Sequence, residues 1–528
     1  MSKWAGNGAL AALCWMLAGC SGGGGGSVVT PQPSPTPTPS VAVTLSVDSQ
    51  SVVMTEDGSG GPIAFDATVT GLPATTVIAD AQFDHTQLAL QGGTITQGAG
   101  GVYQVRLQPL ATLEPGNYSG AVTFRLCGDA ACSNVYAGSA KTFTYQLTVR
   151  LGDWKTFQRN AGHDGYVRAA FDPAAFKKAW DYVPAGVTRI TTVASSGDRA
   201  YVTTFGSDGT TTVRALATST GEQRWFYNVG QTSYTSAPAA ANGKVFVTSM
   251  VSSSSNNSII ALDAETGQFA GPTAPFASQW SFFLPPTAYD QGLYMSAGYF
   301  GSVVYGFDYA KLQYWSFDAN GSIWDGETPA VDADNVYYYS GAALQVIDRN
   351  SGALKKSIPD PFFQSNGYSY YGAPILGSNG NVLAYSGQRG SASSSVLVDW
   401  SIANGAYAWR SADTYTTSPA VAGGMVYLAR NNPGRFDALS EATGAIQWSW
   451  TPPAGEQFIF NTVATKNLVF VSTDKAIYAL PTQGSNHAPV WTAPTGGEMA
   501  ITADGMLIVA NQRPGTVMPS TLVAYRLY

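Results

Sequence analysis

One feature limits this chain more than any other: a strand-rich pattern that recurs eight times. RAYVTT (199–204), KVFVTS (244–249), GLYMSA (292–297), NVYYYS (335–340), NVLAYS (381–386), MVYLAR (425–430), LVFVST (468–473) and MLIVAN (506–511) share one design. Their third residues are Tyr201, Phe246, Tyr294, Tyr337, Leu383, Tyr427, Phe470 and Ile508, with gaps of 45, 48, 43, 46, 44, 43 and 38 residues. A period of about 40–45 residues holding four short strands is the size of one blade of a β-propeller. Only 12% of the residues are charged, and 58 Gly, 28 Tyr, 23 Phe and 13 Trp are present, which suits strands and tight turns and suits helices poorly.

A third strand and a turn follow each second strand. They read RALATSTGEQRW (214–225), IALDAETGQF (260–269), VYGFDYAKLQYW (304–315), LQVIDRNSGAL (344–354), LVDWSIANGAYAW (397–409), FDALSEATGAIQW (436–448) and YALPTQG (478–484). The turn Gly suits a positive φ just before the next strand. Trp225, Trp315, Trp409, Trp448 and Trp491 fall on the outer strand, where an indole can pack over the neighbouring blade as structural glue. The eighth repeat stops at LVAYRLY (522–528) without a fourth strand, and FKKAWDYV (176–183), ahead of the first repeat, can supply it. That arrangement would remove an open sheet edge. The expected architecture is all-β: a sandwich, then an eight-bladed propeller closed by an N-terminal strand.

The segment before the repeats divides into three. In MSKWAGNGALAALCWMLAGC, Lys3 precedes an apolar run over 9–19, too short for the roughly 20 residues of a spanning helix and suited to a signal peptide. Leu17-Ala18-Gly19-Cys20 resembles the lipobox of bacterial lipoproteins, which implies cleavage after residue 19 and lipid on Cys20; Ser21 in place of Asp implies outer-membrane delivery. Residues 20–40, Gly-rich and then Pro-rich from Pro31 to Pro39, form an extended tether. Residues 41–150 alternate strands and turns, as in VAVTLSV (41–47), PIAFDATVT (62–70), GVYQVRLQPL (101–110), SGAVTFRL (119–126) and KTFTYQLTV (141–149). About seven strands in such a length fit an immunoglobulin-like sandwich. The stretch Pro115-Gly116-Asn117-Tyr118-Ser119-Gly120, followed by Cys127, Cys132 and Gly138, resembles the Ig-like modules of bacterial surface lipoproteins. In an exported chain Cys127 and Cys132 read as a disulfide clip; the rival, a zinc half-site, lacks a second half in the sequence.

The lead-in Trp154-Lys-Thr-Phe-Gln-Arg-Asn-Ala-Gly-His163-Asp-Gly-Tyr166, followed by blades such as Ala261-Leu-Asp-Ala-Glu-Thr-Gly267, resembles the PQQ-like (pyrroloquinoline-quinone-type) propeller family over 152–528. The resemblance implies either of two functions, since the family includes lipid-anchored outer-membrane assembly factors and quinoprotein dehydrogenases. A dehydrogenase would hold PQQ and calcium, the ion on a Glu, an Asn and an Asp, often beside a disulfide of adjacent cysteines. No Cys lies beyond Cys132, and no motif identifies the calcium set. Blade signatures by themselves carry no chemistry. Asp332-Ala-Asp334-Asn335 has the alternating oxygens of a calcium loop but sits at a strand turn, where Asp and Asn are ordinary formers. His163 with Asp164 reads as a hydrogen-bonding pair, no Gly-x-Ser-x-Gly nucleophile motif is evident, and His85 and His487 stand alone in the sequence. Trp280, Phe282, Phe283, Trp324 and Tyr371, in the aromatic inter-blade stretches, are candidates for a recognition face and equally for packing between blades. A net charge of −7 argues against nucleic acid as a partner. The reading is a non-enzymatic, lipid-anchored outer-membrane lipoprotein, with no required cofactor, whose propeller binds an envelope protein or a surface glycan.

Overall fold

The computed structural model describes residues 41–528 apart from 57, 59, 73–76, 233, 251–256, 272–273, 277–284, 298–302, 309–312, 321–327, 364–372, 387–394 and 513–518. Cys20 and the five aromatic candidates Trp280, Phe282, Phe283, Trp324 and Tyr371 lie outside the described residues. No α-helix occurs among those described.

Residues 42–150 build two sheets around one core. The first orders Ala42–Leu45, Ile63–Thr70, Val102–Pro109 and Leu88–Leu90, with Thr96–Gln97 also on Val102–Pro109. The second orders Ser49–Thr55, Lys141–Arg150, Gly116–Cys127 and Ile78–Gln82. Period-two patterning drives this pairing. In Ile63–Thr70 the residues Ile63, Phe65, Ala67 and Val69 point inward, and Phe65 stacks on Phe143 with centroids 4.6 Å apart. The short strands Ile78–Gln82, Leu88–Leu90 and Thr96–Gln97, and the parallel strand Ser49–Thr55, add to the five runs visible in the sequence.

Eight further sheets of four or five strands follow among the described residues, each holding one of the eight repeats as its second strand. We number them blades 1 to 8 in that order. Each second strand is buried almost throughout, as in Lys244–Met250 and Leu468–Thr473. Blade 8 pairs Pro519–Arg526 with Lys177–Tyr182, so its outer strand comes from ahead of blade 1.

Neighbouring blades are joined by a repeated dock. Trp180, Trp225, Trp315 and Trp409 donate their indole N–H to the carbonyls of Thr218, Ala264, Arg349 and Glu441 at 2.7–3.0 Å. Each acceptor lies on the next blade, three residues before Gly221, Gly267, Gly352 or Gly444. These glycines have φ between 69° and 72°, and the indole lies against the place a Cβ would occupy. Blade 4 uses a lysine instead: Lys356 Nζ donates to Ile402 O at 2.6 Å beside Gly405. Blade 6 stacks Trp448 on His487 of blade 7, 3.9 Å apart and parallel within 3°. His487, solitary in sequence, is thus part of a blade contact. Trp491 meets Phe176 and Tyr525 edge-on.

The third-strand residue facing this outer position is small or aliphatic in most blades: Ala215, Gly306, Val346, Ala438, Ala479 and Ala524. Blade 5 departs from this with Asp399 opposite Trp409. Burial first, and the Glu441 charge second, push the Asp399 carboxyl up to about 6, against the pull of its bond from Asn381.

The dock yields a paired test. Gly267 and Gly243 both have φ +70, but a Cβ at Gly267 would lie 2.5 Å from the Trp225 ring, whereas a Cβ at Gly243 would touch nothing within 4 Å. Gly243→Ala is expected to cost about 1–2 kcal/mol from backbone strain alone. Gly267→Ala should add the displacement of Trp225 and cost about 2 kcal/mol more by the usual penalty for overpacking. Equal denaturation midpoints for the two variants would remove the dock as a source of stability.

Candidate functional site

The lead-in segment is a spiral that meets the blades one after another. Trp154 O accepts from Ser195 N of blade 1, and Lys155 O from Ala240 N of blade 2, both at 2.7 Å. Thr156 Oγ1 donates to Pro286 O beside blade 3 at 2.8 Å. Ala161, Gly162, Asp164 and Gly165 then accept from Val331, Leu376, Val421 and Ala464, on blades 4, 5, 6 and 7, at 2.7–2.9 Å. To make these turns the chain places Gln158, Arg159, His163 and Gly165 at positive φ. Left-handed conformations are costly for residues with a Cβ, so they persist only where surrounding bonds hold them.

Side chains anchor the spiral from within. Gln158 Nε2 donates to Pro419 O and Thr462 O at 2.8 and 3.0 Å, while its Oε1 accepts from Asn461 Nδ2 at 2.8 Å. His163 is fully buried, with Nδ1 2.8 Å from Pro374 O and Nε2 3.1 Å from Thr287 Oγ1. A carbonyl only accepts, so Nδ1 carries the hydrogen, while Nε2 faces the Thr287 hydroxyl, which itself donates to Pro329 O at 2.7 Å. Burial pushes this imidazole down to about 4, so at neutral pH it is uncharged. It is a structural hub. Asp164 is held differently: its Oδ1 accepts from Tyr166 N at 2.9 Å, and burial raises its carboxyl against the pull of Arg159.

Arg159 reaches the sandwich. Its guanidinium pairs with Glu56, whose side chain is 1% exposed, and it donates also to Tyr166 O. Burial lowers the arginine from its ordinary value. Gly152 N donates to Glu56 Oε1 at 3.2 Å, and Lys466 of blade 7 pairs with Glu114 of the sandwich. Glu56 could not be found by sequence reading, because its partner lies 103 residues away.

Between sandwich and ring lies a cleft of about 950 Å³. Ala111 and Thr112 border it on one side, and the strand turns of blades 2 to 7 on the other. Lys155, Arg168 and Lys466 bring positive charge, and Asp164, Asp290 and Asp332 negative charge. Asp332 acts as a turn residue: Oδ1 accepts from Asp334 N and Asn335 N at 2.8 Å, and Oδ2 from the Tyr337 hydroxyl at 2.7 Å. Cys127 and Cys132 are joined to each other, with Cα atoms 5.0 Å apart, at the end of Gly116–Cys127. Asp80 brings a carboxylate close to both sulfurs. It is paired with Arg125 at 2.6 Å, and the bonded sulfurs offer no thiolate to a metal.

Residues 163–450 match the family model described as outer membrane protein assembly factor BamB. Among solved structures, the chain is similar to BamB from Moraxella catarrhalis, with 15% identity, 66% of this chain and 97% of that chain covered, and a TM-score of 0.46. It is similar also to quinohemoprotein alcohol dehydrogenase from Comamonas testosteroni, with 15% identity, 71% and 80% covered, and a TM-score of 0.48. A third is apo AztD from Citrobacter koseri, with 11% identity, 60% and 94% covered, and a TM-score of 0.37. No curated protein sequence matches.

Two outcomes follow from the buried ionisable groups. His163 takes up its proton more readily in the unfolded chain, at its ordinary 6.5, than in the folded one at about 4. Stability from this group is therefore complete above pH 6.5 and is lost as pH falls towards 4, by about 3 kcal/mol in all. His163→Gln should flatten the fall in urea midpoint between pH 7 and pH 4.5; an unchanged slope contradicts the assignment. Glu56→Gln strands the buried Arg159 charge and should cost about 3–5 kcal/mol in the same measurement.

Proposed function

The chain belongs to the family of the outer membrane protein assembly factor BamB, and from that membership we propose that it is a non-enzymatic, lipid-anchored scaffold of the bacterial cell envelope. In this reading lipid on Cys20 holds the protein at the outer membrane, the 20–40 stretch sets its reach, and the immunoglobulin-like sandwich is a spacer fused to the ring. The propeller binds a protein partner, with outer-membrane protein assembly as the process served.

The observation that carries this reading is the filled face of the ring. Residues 154–169 hydrogen-bond to seven blades in turn, and the sandwich is clamped to this segment through Glu56 on Arg159 and to blade 7 through Glu114 on Lys466. What this face presents is a broad cleft edged by charges of both signs. Such a surface suits an extended polypeptide, whose backbone and side chains use many dispersed polar contacts, better than a compact apolar ligand, which needs an enclosed, mostly apolar pocket.

A photo-crosslinking residue at Lys155 or Arg168, in cells carrying the full chain, tests the reading. The expected product is a discrete adduct with an envelope protein, absent when the probe sits at Phe226, exposed on the outer strand of blade 1. Cys20→Ala should move the protein from the membrane fraction to the soluble one. Adduct-free cells, or dye-linked alcohol oxidation by the purified protein supplied with PQQ, would sink the proposal.

A further inference from the structure

Blades 5 and 6 meet over two buried carboxylates, at positions where the sister blades described above hold none. Asp399 stands opposite Trp409, at the position that is alanine in blades 1, 6, 7 and 8. Glu441 reaches the same place from blade 6, at the turn position filled by Thr218, Ala264, Arg349 and Ile402 elsewhere. Asp399 is 1% exposed and Glu441 2%. Neither makes an ion pair among the described residues.

Both carboxylates bond to residues of the turn 377–381. Asp399 Oδ2 accepts from Asn381 Nδ2 at 2.9 Å, while Oδ1 has no hydrogen-bond partner among the described residues. Glu441 accepts from Ser378 N and Oγ at 2.6 Å. Gly377 lets three oxygens crowd against the turn: a Cβ there would lie 2.7 Å from both Glu441 Oε1 and Asn379 Oδ1, and 3.3 Å from Asn381 O. An ionised oxygen buried without a partner is costly, and a second carboxylate nearby raises that cost. Hard oxygen donors drawn from carboxylates, an amide and a backbone carbonyl are the set calcium takes, with water completing its six to eight ligands. Ser378 and Asn379 are exposed, so an ion needs to pass only one turn to reach the site.

We propose that a calcium ion seats between blades 5 and 6, bound by Asp399 and Glu441 with Asn379 and Asn381 supplying neutral oxygens. It bridges the two blades beside the Trp409 dock and acts on stability, independently of what the cleft binds.

The test is calcium titration of the full-length protein after chelator treatment, read by calorimetry and by thermal midpoint. One site per chain and a midpoint raised by several degrees are expected. Asp399→Ala restores the residue that four sister blades carry, so it should fold in chelator, bind calcium at least 10-fold more weakly and lose the shift. Glu441→Gln provides the second variant and should weaken binding likewise. No heat or shift in the unsubstituted protein up to millimolar calcium, or equal affinity in both variants, overturns the proposal.

Discussion

The indole that closes over a glycine on the next blade is the contact on which the ring rests. A propeller blade cannot bury its own faces; each needs a neighbour at a set distance and angle. The dock supplies both. The Trp N–H finds a carbonyl, so the large ring is buried without an orphaned donor, and the missing Cβ lets it approach the turn. Lys356 shows that the ring can be exchanged. It keeps the donated hydrogen bond and the adjacent glycine while discarding the aromatic ring. Trp448 shows the converse, keeping the ring and taking an imidazole face in place of the glycine turn. Both hydrogen bonding and apolar coverage thus serve the joint, and either can be exchanged locally while the rest of the circle holds.

The lead-in spiral answers a different need. The innermost strands of a propeller point their edges toward the axis, where buried backbone groups require partners. Seven blades find partners in one segment of 16 residues spanning 154–169, which explains why that segment tolerates left-handed residues such as Gln158 and His163. The same segment exports a buried charge, Arg159, to the sandwich, so the two parts meet through a desolvated ion pair and not a loose linker. Breaking such a pair leaves a charge stranded, which makes the junction stiff even where the contact area is modest.

Much of this was legible in residue order. The eight second strands stand where the repeat spacing puts them, and the Trp and Gly of most turns are visible as a pattern. The short sandwich strands were not, because runs such as Leu88–Leu90 are too brief to show a period. Glu56, Gln158 and Asn461 illustrate a second limit. Their polar groups are satisfied by residues 38 to 304 positions away, and nothing local distinguishes them from surface side chains. Asp399 lies between these cases: it departs visibly from its repeat, but its burial and its unpartnered oxygen appear only once blade 6 is placed beside it.

Sequence alone determined the number of blades, their strand order and the glue between them, since periodicity and turn chemistry act over a few residues and repeat unchanged. Tertiary structure decided what the face of the ring became. Which carbonyls the lead-in satisfies, where Arg159 meets its counter-charge and how two acids come together under one turn all depend on distances across the closed ring, and local chain preferences carry no information about those.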